Sequence, residues 1–194
     1  MRTSQKTRTT SETDISVELN IDGLGKSDID TGVGFLDHML ILFSKHGLFD
    51  LKVRCKGDTF IDYHHTVEDI GITLGQAFKE AVGDKAGIVR YADTFTPMDE
   101  CLSLVVLDLG GRTYLNLDVE YTRDTVGDFD TELVEEFFRG FANHCDMNLH
   151  IKMIESGNTH HMIESMFKGF GRTLDKATQV DPRIKGVMST KGVI

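Results

Sequence analysis

The chain has 194 residues, 40% of them hydrophobic, enough for one large domain or two small ones around a sizeable core. Its 21 Lys and Arg against 31 Asp and Glu give a formal net charge of -10, which argues against nucleic acid or an anionic membrane as general partners and leaves any phosphate site to be built locally. Cys55, Cys101 and Cys145 form no C-x-x-C pair, "MRTSQKTRTT" has no apolar core, and no segment reaches the roughly 20 apolar residues of a membrane span, so a reducing, cytoplasmic location is expected.

In chain order, Ile15, Val17, Leu19 and Ile21 alternate with polar residues and predict a half-buried strand, which "DGLGKS" turns towards a shorter strand near Asp28 to Thr31. Leu36, Met39, Leu40 and Phe43 mark the apolar face of a helix, and Phe49, Leu51 and Val53 a further strand. A second helix starts in "DYHHTVED", with Asp62 as its cap and Val67, Ile70, Leu74 and Phe78 as its buried stripe. Residues from about Gly83 to Glu100 read as a join. Leu102 to Leu109 and Thr113 to Tyr121 flank "GGR", which predicts a hairpin because two glycines accept the positive φ of a tight turn. Then come a helix on Val134, Phe137, Phe138 and Phe141, and a strand on Met147, Leu149 and Ile151. A last helix is capped by Asn158 and buries Ile163, Met166, Phe167, Phe170 and Leu174.

The second series repeats the first. At an offset of 96, Asp62 meets Asn158, His64 meets His160, Glu68 meets Glu164, Gly75 meets Gly171 and Ala81 meets Ala177. At 98, Leu36 meets Val134, Phe43 meets Phe141, His46 meets His144 and Leu51 meets Leu149. A period this long, present only twice, points to a duplication and not to a solenoid. The expected fold is α+β, with duplicated β-β-α-β-α halves, residues 1–90 and 91–194, forming one catalytic unit. The helices should pack as a bundle between two mostly antiparallel sheets.

Two copies of H-H-x-x-E change what the histidines imply. Adjacent helical side chains point about 100° apart, so His64 and His65 cannot easily serve one small ligand, and nor can His160 and His161. Brought together, the two copies supply four imidazoles and two carboxylates, a natural pair of metal sites, with Mn, Fe, Co, Ni or Zn favoured over Ca or Mg by the mixed ligands. The alternative is that each doublet only caps its helix and hydrogen-bonds locally. His38 in "GFLDHML" reads as a packing histidine or an extra ligand, and its counterpart at the 98 offset is Glu136. His46 and His144 end their helices, where an imidazolium suits the helix dipole as well as a ligand would. Arg112 in "GGRTY" and Lys191 in "STKG" are basic residues beside glycines, open to phosphate or simply to solvent.

The motifs "GFLDHML", "DYHHTVEDIGITLGQA", "LDLGGRTYL", "NTHHMIESMFKGFGRTL" and "STKG", in this order over nearly the whole chain, closely resemble the imidazoleglycerol-phosphate dehydratase family in its monofunctional form. The resemblance implies a lyase of histidine biosynthesis that uses two Mn2+ per active site and assembles into a homo-oligomer of 24 subunits, with active sites between neighbours. It implies that His38, His65, His160 and Glu164 hold one manganese, and that His64, Glu68 and His161 hold the other. Many relatives complete the second set with a histidine where this chain has Glu136. It assigns substrate contacts to Glu12, His38, His46, His64, Arg90, Arg112, His160, Lys168, Ser189 and Lys191, of which Arg90, Arg112, Lys168, Ser189 and Lys191 would hold the phosphate.

The reaction so implied converts imidazole glycerol phosphate to imidazole acetol phosphate and water. No carbonyl acidifies the C2 hydrogen, so the expected driving force is an imidazolate favoured by a metal at each ring nitrogen. Its electrons would expel the C3 hydroxyl to give a diazafulvene-like intermediate, with Glu12 and Glu164 as the expected acid-base carboxylates. Two competing expectations are a dinuclear metal phosphatase, which would release phosphate, and a non-catalytic assembly module held by metal.

Overall fold

The computed structural model describes residues 1–194. Its first half runs β1 (Thr3–Thr9), β2 (Thr13–Asn20), β3 (Ser27–Asp30), α1 (Gly34–Gly47), β4 (Asp50–Gly57) and α2 (His64–Val82). The second runs β5 (Tyr91–Met98), β6 (Cys101–Asp108), β7 (Tyr114–Asp118), β8 (Thr125–Val126), β9 (Phe129–Asp130), α3 (Leu133–Cys145), β10 (Asn148–Glu155) and α4 (Thr159–Thr178). The α+β class and the duplication hold. The strands form two four-stranded sheets of matching order, β1-β2-β4-β3 and β5-β6-β10-β7, antiparallel except for the parallel pairs β3–β4 and β7–β10.

Each sheet is wetted on one face only. Ile15, Val17 and Leu19 of β2 are buried while Asp14 and Glu18, at alternate positions, are exposed and Ser16 is half-buried, the period-two pattern of a strand packed on one side. The helices α2 and α4 lie on the first and second sheets respectively. The remaining pair crosses over: α3 packs on α2 and α1 packs on α4, so each half lends its first helix to the other half. A single core of 43 buried residues results. Phe141 of α3 meets Phe78 of α2 at 5.7 Å between ring centroids and Phe170 of α4 at 4.9 Å, and thereby ties the two halves together.

The duplicated glycines explain how closely these helices approach. A Cβ on Gly75 would lie 2.5 Å from the Phe141 carbonyl oxygen, and one on Gly171 would lie 2.5 Å from that of Phe43, its repeat counterpart. Only a residue without a side chain fits at either crossing.

Two expectations need correction. Each four-stranded sheet has one strand more than β-β-α-β-α supplies, because β1 and β5 precede the strands read from the alternation, and the second half adds the two-residue strands β8 and β9. Both β1 and β5 are edge strands whose inward residues are mainly polar: Ser4 in β1 and Thr94 and Thr96 in β5 are buried, so hydrophobic periodicity passes them by. The "GGR" segment is a turn, with Gly111 at φ 80°, but β6 and β7 do not form a hairpin. Strand β10 lies between them, antiparallel to β6 and parallel to β7. No helix is long and apolar enough to cross a membrane.

Candidate active site

The packing of α1 on α4 brings His38 to the α4 residues His160 and Glu164. Nε2 of His38 lies 2.8 Å from Glu164 Oε1, and Nε2 of His160 lies 3.1 Å from the same oxygen. The second carboxylate oxygen accepts a bond of 2.6 Å from Lys168 Nζ, one helical turn on. Burial pushes the Glu164 carboxyl up, but the hydrogen bonds from Lys168, His38 and His160 outweigh it and bring its pKa down to about 2. The group is thus an ionised carboxylate with two imidazoles converging on one oxygen, all three ligand atoms within 4.8 Å of one another. His46 is lowered by burial and then by the nearby positive charges of Lys168 and Arg172.

The doublets diverge as their helical spacing requires. The rings of His64 and His65 stand at 84° with centroids 6.1 Å apart, and those of His160 and His161 at 82° and 6.3 Å. Asn158 caps α4 as expected, accepting from the His160 N–H at 2.9 Å, whereas the N-cap of α2 is Tyr63 and not Asp62, which lies one residue earlier and still accepts from the His64 N–H at 2.8 Å. The outward histidines each meet an acid. His65 Nδ1 lies 2.9 Å from Asp58 Oδ2, while its Nε2 is 3.7 Å from Glu12 Oε1. His161 Nδ1 lies 3.0 Å from Glu100 Oε2. Those hydrogen bonds raise the pKa of both imidazoles.

Within one chain, His65 is not a member of the His38, His160 and Glu164 group; its partners are Asp58 and Glu12. Glu136 lies half-buried in the first turn of α3, where pseudosymmetry makes it the counterpart of His38. The corresponding trio of Glu136, His64 and Glu68 is not closed to the same degree, since its ligand atoms do not all fall within 4.8 Å.

The basic residues divide. Arg90, Arg112, Ser189 and Lys191 line one cleft of about 840 Å³, together with Arg183 and Lys185. Arg90 is already held there, its guanidinium donating to Asp108 at 2.6 and 3.0 Å and to the Met188 carbonyl at 2.5 Å. Lys168 and the histidines do not line this cleft. Sequence reasoning passed over Asp58, Glu100, Arg183 and Lys185. Glu100 carried no signal because its relation to Glu12 shows only once the sheet registers are known. Arg183 and Lys185 were legible as charges near "STKG" but not as part of its cleft.

The donor set fits a first-row divalent ion. Two imidazole nitrogens and a carboxylate oxygen, already clustered, match the mixed nitrogen and oxygen coordination of Mn, Fe, Co, Ni or Zn.

Known proteins similar to this chain share one description. The family model described as imidazoleglycerol-phosphate dehydratase matches residues 31–174. The chain is 60% identical over 193 residues to the imidazoleglycerol-phosphate dehydratase of Acetivibrio thermocellus, covering 100% of this chain and 99% of that protein. It is 57% identical over 194 residues to the one from Listeria welshimeri, covering all of both. Among solved structures, it resembles imidazoleglycerol-phosphate dehydratase from Staphylococcus aureus N315, with TM-score 0.84, 44% identity, and 92% of this chain and 99% of that chain covered. It also resembles the Pyrococcus furiosus enzyme in complex with (S)-C348, with TM-score 0.85, 39% identity, and 97% and 100% covered.

Proposed function

Because this chain belongs to the imidazoleglycerol-phosphate dehydratase family, we propose that it dehydrates imidazole glycerol phosphate to imidazole acetol phosphate in histidine biosynthesis, using two manganese ions per active site. The observation that carries the metal-dependent reading is the pair of Nε2 atoms converging on the ionised Glu164 carboxylate. His38, His65, His160 and Glu164 would hold one ion, and His64, Glu68, His161 and Glu136 the other. Bound ions would lower the pKa of the substrate's ring N–H and so make the imidazole electron-rich enough to expel the C3 hydroxyl.

The chain's own residues supply the rest. Lys168 and the two histidines keep Glu164 ionised, so that it is ready to ligate. The Glu12 side chain is 47% exposed, and its Oε1 is 3.7 Å from the nearest imidazole nitrogen. It is therefore free to exchange the C2 proton with a bound substrate. The cleft of Arg112, Ser189, Lys191 and the Asp108-braced Arg90 offers charge-assisted donors for a phosphate. The separation of His65 from the His38 group, and of the cleft from both, supports active sites completed by a neighbouring copy, as in an assembly of 24.

The deciding experiment follows ketone and free phosphate together as apo-protein with restored Mn2+ turns over imidazole glycerol phosphate. Ketone formation that requires Mn2+ is expected. Phosphate release without ketone would replace the reading by a metal phosphatase, and an assembly that dissociates on chelation but never turns over substrate would replace it by a structural metal module.

A further inference from the structure

Strand register reveals an equivalence that no constant sequence offset shows. Leu51 and Leu149 are repeat counterparts, and they pair with Leu19 and Leu107 respectively. Leu19 therefore corresponds to Leu107 and Val17 to Val105, an offset of 88 that sets Glu12 opposite Glu100. Both acids sit in the turn between the first two strands of their half, and both face the second histidine of a doublet.

They face it differently. Glu100 is fully engaged, with Oε2 3.0 Å from His161 Nδ1 and Oε1 accepting the Asn158 N–H at 2.7 Å. In the first half the Nδ1 of His65 is taken by Asp58 at 2.9 Å, which leaves Glu12 beside Nε2 at 3.7 Å. The repeat position of Asp58 is Ser156, which has no carboxylate, so in the second half the imidazole is held from the turn, by Glu100 at 3.0 Å with Asp99 farther off at 4.0 Å from the same Nδ1. The neighbouring Gly157 makes this possible, because a Cβ there would run into the Glu100 carboxylate.

We propose, building on the dinuclear reading above, that Glu100 is a positioning residue that fixes His161 as a metal ligand, and that the duplication has divided one ancestral role between two acids. A carboxylate that accepts from Nδ1 keeps the proton there and presents the Nε2 lone pair to a cation. Asp58 does this for His65 and Glu100 for His161. Glu12, relieved of it by Asp58, is the turn acid left for proton transfer.

The test titrates the intact apo-protein with Mn2+, following free Mn2+ by electron paramagnetic resonance. The wild-type chain is expected to take up two ions. Glu100→Gln is expected to keep one tight site and weaken the other by about 10- to 100-fold, the loss usual when a ligand's hydrogen-bonded support is removed. Gly157→Ala, which displaces the same carboxylate without deleting it, is expected to weaken the same site. Activity of Glu100→Gln should recover towards wild type at saturating Mn2+, whereas Glu12→Gln should bind both ions normally and stay impaired at any Mn2+ concentration. Unchanged affinity at both sites in Glu100→Gln and Gly157→Ala overturns the role of Glu100. Failure of the wild-type chain itself to bind Mn2+ would instead remove the dinuclear reading, and this inference with it.

Discussion

At the scale of single residues, the chemistry rests on a few charges held against their surroundings. Glu164 is 7% exposed, yet it is ionised because Lys168, His38 and His160 donate to it. Its pKa is lowered in the folded state to about 2, so the folded chain holds fewer protons than the unfolded one between that value and the ordinary 4.5. Its contribution to stability is therefore complete above about 4.5 and lost as the pH falls through about 2. Apo-protein carrying Glu164→Gln should lose less stability than wild-type apo-protein between pH 5 and pH 3, measured as the shift in urea midpoint. An equal shift in the two proteins would show that Glu164 is not held ionised by its neighbours. The residue types were legible in the motifs, and so was the divergence of each histidine pair, since it follows from helix geometry alone. Glu100 was not legible, because the partner of an imidazole is set by strand register.

At the scale of elements, the helices were the easiest to read and the edge strands the hardest. A stripe such as Val67, Ile70, Leu74 and Phe78 repeats at helical spacing and is buried throughout, so pattern and structure coincide. By contrast, β1 and β5 bury serine and threonine and carry no apolar alternation. The "GGR" turn misled for another reason: its local geometry suits a tight reversal, but β10 competes for the edge of β6 and wins it through seven antiparallel residue pairs between Asn148 and Glu155, with one register shift that skips Ile154. The helix crossings make their own prediction. Gly75→Ala and Gly171→Ala should each destabilise the apo-protein by about 1–3 kcal/mol, because the added methyl meets a backbone carbonyl of the partner helix and outweighs the better helix propensity of alanine. Urea unfolding measures this, and stabilisation of either variant would mean that the crossing has room to spare.

At the scale of the whole molecule, exchange of helices between the halves makes one structure out of two repeats. It brings His38 to His160 and Glu164 from a sequence distance of more than 120 residues. It leaves His65 with Asp58 and Glu12, away from that group. If a neighbouring copy completes each site, chains carrying His38→Ala and chains carrying His65→Ala, each inactive alone, should regain activity when assembled together. Random mixing predicts about a quarter of the wild-type sites. Mixed assemblies that stay inactive would place all the ligands of a site within one chain.

The sequence by itself determined the duplication, the helices with their buried stripes, the divergence of the doublets and the family. Those properties follow from local periodicity and from residues that must recur at fixed spacing. Only the tertiary structure decided that α1 serves the opposite half, that β10 separates β6 from β7, that Lys168 braces Glu164, and that Glu12 and Glu100 are equivalent. Each of these depends on which distant elements share a surface, and that is settled by burying both halves in one core.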